Sequence, residues 1–178
     1  MSPSLALTVT VLLLFANAFF VAAEFAIVKL RPTRLRQLVD QGKRRARLLE
    51  HITSRLDAYL SACQLGITLC SLAIGWLGEP GLARIIAPHL EPLGELAGMT
   101  SHGLAFGVAF VFITFLHTAV AEQAPKSLAL QRTEPVALWT AAPLRAFHFV
   151  AFPLIWTLNT TANLFLRLIG LKQASEAE

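Results

Sequence analysis

Charge is scarce in this sequence: charged side chains make up 15% of its 178 residues, where soluble domains carry about a quarter. Cysteine is nearly absent, with only Cys63 and Cys70, seven positions apart within one apolar run. A rise of about 10 Å along a helix keeps those two thiols from bonding to each other. Two thiols alone make a poor metal site, so packing is their expected role. No G-x-x-x-x-G-K-[ST], no nucleophile elbow and no H-E-x-x-H occurs, which leaves ATP-driven pumping and the common hydrolase chemistries without support.

What fills the chain instead is hydrophobic residues, 55% of the total. Three runs, about 4–28, 58–78 and 103–124, match the length of roughly 20 apolar residues that crosses a bilayer. A secretory signal peptide competes for the first run. No basic segment precedes it, and Glu24 lies where cleavage would be sought, so a retained span is expected.

The few charges are unevenly placed. Nine of the 15 basic residues lie in KLRPTRLRQLVDQGKRRARLLEHITSR, residues 29–55, and only Arg84 lies between the second and third runs. With three spans, 14 basic residues share one side, so the positive-inside rule puts the N-terminus outside and the C-terminus in the cytoplasm. The basic loop has apolar residues at helical spacing, broken near Gly42. A pair of short amphipathic helices at about 31–55 follows, facing anionic lipid headgroups. Nucleic acid is the rival ligand, but interleaved aromatics are missing. The Gly- and Pro-rich outer loop carries Glu79, Glu91 and Glu95, with a short helix expected at Leu82–Ala87.

Residues 136–172 are apolar, yet Pro143 and Pro153 interrupt them, and Arg145, His148, Asn159, Asn163 and Arg167 are scattered through them. A belt helix lying along the membrane is expected there, because a fourth crossing would export Lys172. Residues 173–178 read as a linker toward cytoplasmic domains. The expected fold is therefore an all-α membrane protein, with a three-span core over 1–135, the short-helix pair and the belt.

Polar residues inside the spans are the candidates for chemistry. Asp57, Ser61, Gln64, Thr68 and Ser71 follow at intervals of 4, 3, 4 and 3, hence on one side of a helix. Such a stripe either lines a cavity or glues helices together. Gly66, nearly opposite Gln64, permits close approach of another helix. Asn17 and Glu24 share a face of the first span. Glu24 is read as a cavity or gating residue, or as a surface carboxylate that reaches water, Lys29 or Lys126.

In the third span Thr114, Thr118 and Glu122 align, and Pro125 has no N–H to offer the carbonyl of Ala121. A helix broken there would present a carboxylate, an orphan carbonyl and hydroxyls together, with Thr118 and Pro125 placed to gate. His117 lies about 140° from the Glu122 line on an α-helix and is read as a packed or hydrogen-bonded side chain. A donor set of oxygens suits the hard cations Mg²⁺, Na⁺ or Ca²⁺.

The blocks NAFFVAAEFAIVKLRPTRLRQL, LSACQLGITLCSLAIGWLGEP and AEQAPKSLAL, in that order, resemble the transmembrane domain of the CNNM/CorC family of magnesium transporters. The third block is similar to the family's G-E-x-x-P-K motif, with Ala121 in place of the glycine. The resemblance implies a Mg²⁺ transporter domain, not an enzyme, in the bacterial inner membrane. It is expected to work as a homodimer, to carry regulatory CBS domains beyond this chain, and to export the ion, with a Na⁺ gradient as the coupling source. It also implies a Mg²⁺ site that includes Glu122, Asn17 and Ser71, with the backbone of Ala121. Val21 stands where many members have a second serine, so it offers its carbonyl alone. Ser61, Gln64, Thr68 and Ser71 are expected to line the cavity. A Mg²⁺ sensor or membrane anchor that does not transport is the alternative.

Overall fold

The computed structural model describes residues 2–90 and 101–169, and every element among them is helical. The expected linker at 173–178, and Glu91 and Glu95 of the outer loop, lie outside the described residues.

Helix α1, Pro3–Lys29, starts with the Ser2 hydroxyl accepting from the Leu5 amide at 3.4 Å, with Pro3 in the first turn. It ends three residues before Pro32, which biases its predecessor away from helix. The short-helix pair follows as α2, Pro32–Asp40, and α3, Arg44–Thr53. Gly42 turns the chain between them at φ 74°, a left-handed conformation that glycine adopts without steric cost. Leu38, Leu49 and Ile52 are fully buried beneath this pair.

Helix α4 runs from Leu56 to Ile86 without a break at Pro80, and a short 3₁₀ turn follows over Ala87–His89. The expected end at 78 and the separate helix at Leu82–Ala87 are therefore corrected: both belong to one helix. Packing against α1 overrides the proline. A Cβ on Gly78 would lie 2.9 Å from the Thr10 side chain, and one on Gly81 2.9 Å from that of Ala6, so side chains of α1 pack directly onto the α4 backbone along this stretch.

Helix α5, Ser101–Leu116, continues into a π-helical turn over His117–Gln123 and then into α6, Ala124–Gln131. Pro125 was expected to break the third span. Instead the chain stays helical through it and accommodates the missing N–H by widening one turn before it.

Helix α7, Thr133–Leu168, is continuous through Pro143 and Pro153. Among the described residues, four helical stretches are thus long and apolar enough to cross a membrane, where the sequence suggested three. The course of α7 differs from that of the others. Trp139 meets Phe19 with ring centroids 5.8 Å apart, and Phe147 meets Phe20 at 4.7 Å. His148 stacks on Tyr59 at 4.4 Å, and Asn159 reaches Ser61. About 30 Å of α7, from Trp139 to Asn159, thereby lies against Phe19 and Phe20 of α1 and Tyr59 and Ser61 of α4. The helix passes across the other two rather than alongside them. Its outer face is apolar and bare, with Trp139, Phe149, Val150 and Trp156 exposed. Its start is tied to the short-helix pair by Glu134, 2.8 Å from Arg34 and 3.5 Å from Lys43.

The core lies where α1, α4 and α7 meet the short helices. Cys63 and Cys70 are buried free thiols in it, as packing residues should be.

Candidate cation site

Alanine and glycine bring α1, α4 and the third helical stretch together. Ala22, Ala23 and Ala26 are buried on α1, and a Cβ on Gly66 would come within 2.6 Å of the Phe20 ring. Such small contacts hold apolar helices at short range and carry polar side chains into reach of one another.

Asn17 is fully buried at this junction. Its Nδ2 donates to the carbonyl oxygen of Ala121 at 3.0 Å, and its Oδ1 accepts from the Ser71 hydroxyl at 3.4 Å. Ser71 Oγ lies 3.1 Å from His117 Nε2, and that nitrogen lies 3.6 Å from Glu122 Oε1. A hydroxyl has one proton, and an ionised carboxylate only accepts. With the Ser71 proton on Asn17, the proton of His117 belongs on Nε2, where it faces both Ser71 and Glu122. The cluster is therefore one connected path from α1 through α4 to the π turn.

Regular α-helix would set His117 and Glu122 well apart around the axis, as the sequence suggested. The i→i+5 bonding of the π turn brings residue i+5 back over residue i, so the two share a side. The same turn explains the carbonyl of Ala121. It is not left free for a ligand, as a broken helix would leave it; Asn17 takes one lone pair, and the second remains.

Next to the cluster, Val21, Glu24, Ile67, Glu122, Gln123 and Lys126 line a cavity of about 250 Å³. Lys126 points its ammonium over the Phe25 ring, 4.8 Å from the centroid. Glu24, also in that wall, is half-buried and forms an ion pair with neither Lys29 nor Lys126 among the described residues.

The stripe on α4 divides. Ser71 joins Asn17, whereas Ser61, Gln64 and Thr68 face a separate cavity of about 550 Å³ together with Glu24, Leu158 and Asn159. Thr68 donates to the Gln64 carbonyl at 2.8 Å, and Ser61 to Asn159 Oδ1 at 2.8 Å. Thr118 is exposed and joins neither group, while Pro125 is buried below the π turn. Among the described residues no three His, Cys, Asp or Glu side chains converge, so an ion held here depends on amide, hydroxyl and carbonyl oxygens beside a carboxylate.

Sequence reasoning set two residues aside that the structure brings forward. His117 enters through the π turn, which α-helical periodicity does not reveal. Asn159 enters because α7 crosses α4, and nothing local in the sequence marks it.

A family model described as the Cyclin M transmembrane N-terminal domain, CNNM, matches residues 8–178. Among curated relatives, the UPF0053 protein YhdT of Bacillus subtilis is 50% identical over 92% of this chain and 35% of its own length. The UPF0053 protein YrkA of the same organism is 46% identical over 97% of this chain and 39% of its own. The uncharacterized protein Rv1841c of Mycobacterium tuberculosis is 34% identical over 97% of this chain and 49% of its own. The chain thus spans between about a third and a half of these relatives.

Proposed function

The chain belongs to the CNNM family as a multi-pass transmembrane domain, and from that premise we propose that it binds and moves Mg²⁺. The observation that carries this reading is the convergence of Asn17, Ser71, the Ala121 carbonyl and Glu122 from three separate helical stretches. An arriving cation takes the lone pairs of Asn17 Oδ1 and Ser71 Oγ, and one carboxylate oxygen of Glu122. The amide of Asn17 stays on Ala121 and fixes the side chain. Val21 lines the cavity beside Glu122, and the Ala121 carbonyl keeps a second lone pair beyond its bond to Asn17, so backbone oxygens complete the set. One carboxylate among neutral oxygens suits an ion that keeps part of its water shell, as Mg²⁺ does.

In this reading α1, α4 and the α5–α6 stretch cross the membrane and α7 wraps them as the belt. Its transverse course and bare aromatic face support that arrangement. The basic α2–α3 end faces the cytoplasm of a bacterial inner membrane and touches anionic lipids. The domain acts as a homodimer beneath CBS domains in a longer protein, exports Mg²⁺ with a Na⁺ gradient as the driving force, and performs no covalent chemistry. The helices alternate access around the site.

Calorimetric titration of the purified protein with Mg²⁺, beside Glu122→Gln, is the first test. Saturable binding that the variant loses at unchanged helicity is the expected result. Equal binding by both proteins would remove the site from Glu122. Mg²⁺ flux into liposomes then separates a transporter from a sensor that binds without transport.

A further inference from the structure

Glu24 is a carboxylate with two cavities and no ion-pair partner among the described residues. Its side chain lines the 250 Å³ space that holds Glu122 and also the 550 Å³ chamber between α1, α4 and α7. An ionised carboxylate among apolar helices is unfavourable until a cation or water meets it. The chamber is an open groove with mostly apolar walls, and its other polar side chains come from two helices. Ser61, Gln64 and Thr68 come from α4, and Asn159 comes from α7, joined to Ser61 by a 2.8 Å hydrogen bond. Thr68 spends its proton on the Gln64 carbonyl and keeps its oxygen lone pairs as acceptors in the lining.

The size of the chamber decides what fits. A bare Mg²⁺ would touch few of these groups at once. At about 30 Å³ per water, an ion with six waters occupies roughly 200 Å³, and the open groove is wide enough to admit it. Mg²⁺ gives up water reluctantly and is commonly held through one or two carboxylates and retained waters.

We propose that this chamber is a second cation site, where Glu24 and the neutral oxygens of Gln64, Thr68 and Asn159 hold a hydrated Mg²⁺. The inference rests on the reading that the Asn17–Glu122 cluster takes the same ion, and it gives that cluster an antechamber. Glu24 belongs to both walls and passes the ion between them. Asn159 makes α7 part of the site: a shift of that helix breaks the bond to Ser61 and opens the chamber.

Mn²⁺ in place of Mg²⁺ lets the ions be counted by electron paramagnetic resonance on the full chain in micelles, with helicity and thermal midpoint checked for each variant. The wild-type chain is expected to bind two Mn²⁺. Glu24→Gln should lose one of them and Glu122→Gln the other. Asn159→Ala should weaken only the Glu24-dependent ion, about fivefold for one lost hydrogen bond. A single Mn²⁺ that vanishes with Glu122→Gln and survives Glu24→Gln overturns the second site and leaves the central one standing. A single Mn²⁺ lost in both variants also overturns it, because the two carboxylates then share one ion. An ion lost only with Glu24→Gln supports the chamber and instead overturns the central site. Should Glu24→Gln fail to fold, the wild-type protein still decides: bound Mn²⁺ must broaden the side-chain amide resonances of Gln64 and Asn159, and sharp resonances at saturation refute the proposal.

Discussion

The side-chain amide of Asn17 donates to the backbone carbonyl of Ala121 at 3.0 Å across 104 positions of sequence. This bond occupies the oxygen that Pro125 leaves without a regular α-helical partner, and it locks the first membrane helix to the π turn of the third. Several measurable consequences turn on it.

Asn17→Leu removes the donor and leaves a buried carbonyl partly unsatisfied. Hydrogen bonds between membrane helices contribute about 0.6 kcal/mol on average and up to roughly 2. Unfolding in detergent should show a loss within that range, together with loss of Mg²⁺ binding. Asn17→Asp, which keeps an oxygen and not the donor, should lose the stability and retain more of the binding. Equal binding losses in the two variants would take Oδ1 out of the ligand set.

Pro125→Ala restores an N–H that can bond to Ala121 and favours regular α-helix over the π turn. His117 and Glu122 would then move apart around the axis. The expected result is a protein at least as stable as the wild type that binds Mg²⁺ about tenfold more weakly, a change of about 1.4 kcal/mol. Unchanged affinity would mean that the π turn survives without proline.

Gly66 and Gly107 make a matched pair. A Cβ at Gly66 would sit 2.6 Å from the Phe20 ring, whereas one at Gly107 meets nothing within 4 Å. Gly66→Ala should destabilise by about 1–3 kcal/mol, as overpacking does. Gly107→Ala should leave the fold of the single chain intact, and thermal unfolding of the two variants side by side checks this.

His117→Ala removes the group between Ser71 and Glu122 without touching an oxygen ligand. Mg²⁺ affinity should fall several-fold, well short of the loss in Glu122→Gln, and the fold should hold. His117→Gln, which keeps an N–H donor, should recover part of it. Complete loss of binding in His117→Ala alone would make the imidazole a ligand.

Much of this architecture is legible in composition and period. Long apolar runs fix helices, because a backbone in lipid has to satisfy its own hydrogen bonds. Gly42 between two amphipathic segments predicts the α2–α3 turn, and it forms with φ 74°. The polar side chains on α4 are legible too, and Ser71 bonds Asn17, while Glu122 connects to that pair only through His117. The proline readings were less faithful. Pro80, Pro125, Pro143 and Pro153 all stand inside continuous helix; close packing on α1 accompanies Pro80 and a widened turn precedes Pro125.

The sequence by itself determined that the chain is helical, apolar and strongly basic at one end, and which polar side chains each helix carries on which face. These follow from local periodicity and from solvent, so neighbours in sequence suffice to reveal them. Only the tertiary structure decided how those faces combine. It gave the Ala121 carbonyl to Asn17, folded His117 back toward Glu122, split the α4 stripe between two cavities, and laid Asn159 of α7 against Ser61. Each of these depends on where one helix crosses another, and a crossing is set by the packing of small residues far apart in the chain.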